Sequence, residues 1–196
     1  MIGLGLTGSI GMGKSTAASV LRQLGVPVHD ADASVHRLMN HGGAAVGFVE
    51  AAFPGTAQNG AIDRKELGRR VFADPAALKR LETILHPMVR DQERTFLEAA
   101  RARGYPIAVL DIPLLYETGG ERRCDAVIVV TAPQFLQDQR VLKRPGMSRA
   151  RLNEIVNKQI PDVEKRRRAD FVVPTGLGKR ASRVVLARIL KKLKHR

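Results

Sequence analysis

Gly8-Ser9-Ile10-Gly11-Met12-Gly13-Lys14-Ser15 has the form G-x-x-x-x-G-K-[ST]. That spacing suits one kind of chemistry, the holding of a phosphate chain. Glycines let successive backbone N–H groups turn inward around an anion without side-chain obstruction. Lys14 adds a mobile positive charge that can follow a phosphoryl group during transfer, and the Ser15 hydroxyl suits a Mg²⁺ ion. The expected ligand is a nucleoside triphosphate, ATP or GTP.

Other residues could act on such a ligand. Asp30-Ala31-Asp32 follows a short apolar run. If strand geometry persists there, the two carboxylates point the same way and Asp32 reaches further. Asp32 is expected to orient the attacking hydroxyl or take its proton, with Asp30 as cap or support. Asp111 ends another apolar run; two readings stand, contact with Mg²⁺ and organisation of the following turn. Arg140 and Arg144 are four apart, so one helix face would carry both toward a triphosphate, where guanidinium groups stabilise spreading charge. Solvated basic surface is the alternative for that pair, and it is the expectation for residues 165–168. His86 and Arg90 share a helical spacing and suit an acidic substrate, with packing as the other reading for His86. Cys124 is the single cysteine, which excludes an intrachain disulfide and a cysteine metal cluster.

The elements that must position these groups are legible as well. Met1 to Leu6 read as a buried strand, and Ala17, Val20, Leu21 and Leu24 mark a helix face just after the glycines. Strand, loop and helix N-terminus is the order an anion site needs. Apolar runs at 2–7, 26–29, 107–110, 126–130 and 171–173, separated by helical patterns, describe a five-stranded parallel α/β sheet flanked by helices. The long gap from 31 to 106 is helical in pattern. Asp74-Pro75 caps one helix, and Pro87 is expected to kink or end it before another runs to about 102. This gap reads as a helical substrate-binding insertion, with packing in the core alone as the alternative. Leu186, Ile189, Leu190 and Leu193 mark a closing helix.

The formal net charge is +14. Residues 139–196 hold 18 basic and 4 acidic residues, so the whole excess lies there. Some of it should face phosphates. Two Tyr, six Phe and no Trp leave little for stacking bases, so nucleic-acid binding is not expected. No apolar run reaches membrane-span length, and nothing resembles a signal peptide. A cytoplasmic monomer is expected, with no membrane partner.

The residues together resemble the dephospho-CoA kinase family, across nearly the whole chain. The resemblance is carried by Gly5-Leu6-Thr7-Gly8 through Thr16, Leu24-Gly25-Val26-Pro27 with Asp30-Ala31-Asp32, Val71-Phe72 and Asp74-Pro75. It continues in Leu85-His86-Pro87, Leu110-Asp111-Ile112-Pro113-Leu114-Leu115-Tyr116-Glu117, and Gln137 with Arg140 and Arg144. Gln159-Ile160-Pro161, Lys165 and Ala169-Asp170 complete it. It implies a P-loop NTPase fold in one domain, with core segments at about 1–32, 104–133 and 169–196. A helical CoA-binding insertion would span about 33–103 and a lid about 134–168. The implied reaction is ATP-dependent phosphorylation of the ribose 3′-hydroxyl of dephospho-CoA, the last step of CoA synthesis.

By the same resemblance, Asp32 is the base, with Lys14, Arg140 and Arg144 as its catalytic companions. ATP meets Gly8, Ser9, Ile10, Gly11, Met12, Gly13, Lys14, Ser15 and Thr16. Dephospho-CoA meets Thr7, Asp32, His86, Arg90, Leu114, Leu115 and Glu117, and Mg²⁺ meets Ser15 and Asp111. Three positions depart from the pattern: Ile155 where many relatives carry Arg, Pro174-Thr175-Gly176 in place of an Asn-rich turn, and Met12 where a small residue is common. A kinase for another alcohol such as shikimate is the rival reading. A regulatory GTPase is disfavoured, since Asn157-Lys158-Gln159-Ile160 lacks the Asp of a guanine-reading Asn-Lys-x-Asp.

Overall fold

The computed structural model describes residues 1–72 and 74–194. The chain divides into two compact units, one of Met1–Asp30 with Leu97–Arg196 and one of Ala31–Phe96.

The first unit is built on five parallel strands. These are β1 (Ile2–Thr7), β2 (Val28–Asp30), β5 (Ile107–Asp111), β6 (Ala126–Thr131) and β7 (Phe171–Pro174), in the spatial order β2-β5-β1-β6-β7. Each expected run forms a strand; the first keeps its expected bounds and the others differ by one or two residues at an end. The strands are apolar on both faces because both are covered. On one face Leu4, Leu6, Ile107, Val109, Ile128 and Val130 pack with helices α1 (Lys14–Gln23) and α9 (Gly178–Lys194). Leu186, Ile189, Leu190 and Leu193 are the buried stripe of α9, as its spacing implies. On the other face Gly5 leaves room for a leucine: a Cβ there would lie 2.7 Å from Leu115 Cδ2 and 3.0 Å from Cys124 Sγ. Helix α1 ends at Gly25, whose φ of 79° lets the Val26 N–H reach the Leu21 carbonyl and turn the chain into β2.

Three further helices belong to this unit: α6 (Gln134–Leu142), α7 (Arg149–Asn157) and α8 (Asp162–Arg168). The order of strands puts the end of β1 between the ends of β5 and β6, the position where open α/β sheets take their ligands.

The second unit carries α2 (Ala31–Met39), α3 (Val46–Ala52), α4 (Arg64–Phe72) and most of α5 (Pro75–Ala102), whose last turns count with the first unit. It also holds a hairpin, β3 (Ala57–Gln58) and β4 (Ala61–Ile62), that the helical pattern did not announce. Asn59 (φ 50°) and Gly60 (φ 76°) form its two-residue turn, the dipeptide favoured where both positions need positive φ. The Asp74 carboxylate accepts from the Ala76 N–H at 2.8 Å, the expected cap. Pro87 does not end the helix: α5 is continuous through it. Ala77, Leu81, Leu85 and Val89 form the buried line while Pro87 and Thr83 are exposed. The carbonyl that loses its donor therefore lies on the watered side.

Candidate active site

The glycine loop joins β1 to α1, and its shape is imposed from behind. The Gln137 Nε2 donates to the Ile10 carbonyl at 2.8 Å, Arg140 Nη1 to the Gly11 carbonyl at 3.3 Å, and Thr175 Oγ1 to the Met12 carbonyl at 2.7 Å. Three consecutive carbonyls are thus drawn one way. A peptide plane sets its N–H opposite its C=O, so the Gly11 and Gly13 N–H groups face the other way. The glycines are required sterically. A Cβ on Gly8 would lie 2.5 Å from Val130 Cγ2 and 2.7 Å from the Val130 carbonyl oxygen, and one on Gly13 would lie 2.7 Å from Thr175 Oγ1. Gly11 and Gly13 also sit at φ 76° and 90°. Met12 is buried in the core, its Sδ 3.1 Å from the Ala132 N–H, so its bulk points away from the cradle. Ser15 and Thr16 are exposed in the first turn of α1, where unpaired N–H groups and the helix dipole favour an anion.

Lys14 is not idle. Its Nζ lies 2.6 Å from Asp111 Oδ1, at the C-terminal end of β5. Burial pushes the Asp111 carboxyl above its ordinary range, while the Lys14 charge and hydrogen bond pull it back. Asp30 is the Cα partner of Asp111 in the sheet. Thr7 is fully buried and donates its hydroxyl to the Pro113 carbonyl at 2.9 Å. In the turn that follows β5, Leu114 is exposed and Leu115 is buried against Gly5. Glu117 Oε1 accepts from the Ile160 N–H at 2.9 Å and lies 2.7 Å from Lys165 Nζ.

Lys165 overturns one expectation: it is 0% exposed rather than solvated surface. Arg168 stays exposed as expected but is held in place, pairing with Glu121 at 2.7 Å and stacking over the Tyr116 ring at 4.4 Å. A carboxylate beside an otherwise buried ammonium explains the first, and a ring plus carboxylate the second.

The two expected arginines do not share a helix face. Helix α6 ends at Leu142, because Pro145 restricts the residue before it and the chain turns, with the Met147 N–H donating to the Arg144 carbonyl. Arg144 is exposed in that turn. Arg140 is committed to the loop: besides Gly11 it donates to Thr175 Oγ1 at 3.1 Å and to the Thr175 carbonyl at 3.0 Å. Arg149 pairs with Asp138 at 2.6 Å.

Asp32, His86 and Arg90 lie in the second unit. Strand geometry does not persist past Asp30; Asp32 sits exposed in the first turn of α2, so the same-side argument from alternation fails. His86 is half-buried and Arg90 exposed, one helical turn apart on α5.

Sequence reasoning missed Thr175, which stood out only as a departure from a pattern, and the role of Gln159, whose Oε1 accepts from the Ile10 N–H at 3.1 Å. No local spacing signals either, because their partners are 149 and 163 residues away.

Comparison with known proteins points to one family. A family model described as dephospho-CoA kinase matches residues 2–177. A dephospho-CoA kinase of Mesorhizobium japonicum is 57% identical over 194 residues, covering 99% of this chain and 98% of that protein. One from Paramagnetospirillum magneticum is 65% identical over 163 residues, 83% of this chain and 77% of that protein. Among solved structures, TT1252 from Thermus thermophilus superposes with a TM-score of 0.84 at 37% identity, covering 98% of this chain and 97% of the other.

Proposed function

The chain belongs to the dephospho-CoA kinase family, and from that membership we propose that it moves the γ-phosphoryl group of ATP to the ribose 3′-hydroxyl of dephospho-CoA, releasing CoA and ADP. The observation that carries the reading is the glycine cradle itself, with three successive carbonyls held outward by Gln137, Arg140 and Thr175. Such a preformed set of N–H donors stabilises phosphate charge without reorganisation at the moment of reaction.

Gly8 to Thr16 hold the triphosphate, and its oxygens compete with Asp111 for the Lys14 ammonium. The Ser15 hydroxyl and the Asp111 carboxylate are hard oxygen donors and fit Mg²⁺, an ion that takes its remaining ligands from water and phosphate. When bound, that ion would neutralise charge on the phosphate chain. Asp32 accepts the proton of the attacking hydroxyl, and its exposure leaves it accessible to a substrate. Arg144 meets the developing charge from its turn. His86, Arg90 and the exposed Leu114 receive dephospho-CoA. Thr7 and Leu115, whose side chains are committed to Pro113 and Gly5, support that site instead, while the Glu117 carboxylate is committed to Ile160 and Lys165. A monomer in the cytoplasm suits a reaction between two soluble metabolites.

The test is ATP consumption by the purified protein with dephospho-CoA or shikimate as acceptor. Turnover is expected with dephospho-CoA alone; turnover with shikimate alone refutes the proposal. In the same assay Asp32→Asn is expected to lower kcat by roughly 10²–10⁴ with ATP affinity unchanged, and an unchanged kcat removes Asp32 from the chemistry.

A further inference from the structure

Lys165 is the largest fully buried side chain among the described residues. Among the described residues its only carboxylate is that of Glu117, 2.7 Å away, and its Nζ has no hydrogen-bond partner beyond that ion pair. A lone buried ion pair is poor stabilisation, since two apolar residues of similar volume generally do as well. Its location suggests another use. Glu117 Oε1 also takes the Ile160 N–H, and the neighbouring residue, Gln159, reaches the glycine loop through the Ile10 N–H. Ile10 is thereby pinned at both backbone groups, by Gln159 on its N–H and by Gln137 on its carbonyl. Helix α8, which follows Gln159-Ile160-Pro161, is anchored again at its far end by Arg168 on Glu121 and Tyr116.

We infer that Glu117 is a positioning residue for the phosphate loop: its carboxyl oxygen, by taking the Ile160 N–H, fixes the Gln159-Ile160 segment so that Gln159 sets the geometry of Ile10 and hence of the cradle. Lys165 completes its ion pair, and neither side chain touches the substrates. The inference rests on the phosphoryl-transfer reading above but is tested without an acceptor, by titrating ATP into the protein alone. Loss of the acceptor reaction in the wild type would therefore sink that reading and not this one.

Two double variants separate the roles of charge and position. Glu117→Gln with Lys165→Met removes both charges but keeps an oxygen for the Ile160 N–H. Glu117→Leu with Lys165→Met removes both charges and that acceptor. The first is expected to bind ATP within about twofold of wild type, the second about three- to tenfold more weakly, as expected for one lost hydrogen bond. Gln159→Leu leaves the buried pair intact and is expected to show the same three- to tenfold loss at an unchanged melting temperature. KM for dephospho-CoA should not move in any of them. Equal ATP affinity in the two double variants, an unchanged ATP affinity in Gln159→Leu, or a shift confined to the dephospho-CoA KM would each overturn the inference. If both double variants fail to fold, Gln159→Leu decides alone.

Discussion

Lys14→Met isolates the worth of one buried contact. The Lys14 and Asp111 side chains are 17% and 4% exposed and meet at 2.6 Å. Removing one partner of a buried pair costs roughly 3–5 kcal/mol, because the other charge stays in the low-dielectric interior. Lys14 is partly open to water, so we take the lower end, about 3 kcal/mol. For a chain of this size that is a fall in Tm of roughly 6–12 °C. The pH dependence has a definite sign. Burial holds the folded Asp111 pKa above its unfolded value even with Lys14 present, and removing the lysine raises it further. A group raised on folding contributes stability that is complete below the unfolded pKa and is lost as pH rises through the folded one. The deficit of Lys14→Met relative to wild type should therefore be small near pH 4 and widen toward neutrality. Differential melting of the two proteins across pH 4–8 measures this directly, and adding Asp111→Asn should restore most of the lost Tm. A constant deficit, or one that grows as pH falls, refutes the account of the pair.

Gly8→Ala forces a Cβ to within 2.7 Å of a backbone carbonyl and should cost about 1–3 kcal/mol in thermal unfolding, with weakened ATP binding. Gly47→Ala, in α3 with open space around it, should instead gain up to about 1 kcal/mol; similar losses in both variants would refute the steric argument. Arg140→Ala removes three hydrogen bonds that tie Gly11 to Thr175. It should raise the ATP Kd about tenfold. A fall in kcat with ATP affinity intact would return Arg140 to the role of a transition-state contact.

The strands of the sheet were readable because burial on both faces leaves uninterrupted Val, Ile and Leu runs, as in residues 126–130. The glycine octet was readable because its phosphate-holding pattern is contiguous in sequence, although the clashes that require Gly8 and Gly13 come from Val130 and Thr175. What escaped was set at long range. Nothing near Lys165 says that Glu117 will bury it, and nothing near Thr175 says that Met12 will take its hydroxyl. Asp32 was misplaced geometrically because alternation was extended past the point where α2 begins. Asn59-Gly60 was a signal overlooked: the dipeptide marks a hairpin turn, but two-residue strands on either side are too short to show alternation. Pro87 misled for a physical reason too, since a proline on the exposed side of a long helix sacrifices a bond that water can replace.

The order of the strands has a bearing on how the chain is made. β1 leaves the ribosome well before its two neighbours, β5 and β6, which begin at residues 107 and 126. Until residue 107 is made, the future centre of the sheet has no partner on either edge. During that interval an apolar ribbon of six residues is open to mispairing, and its shelter must come from the translation machinery or from chaperones rather than from its own fold.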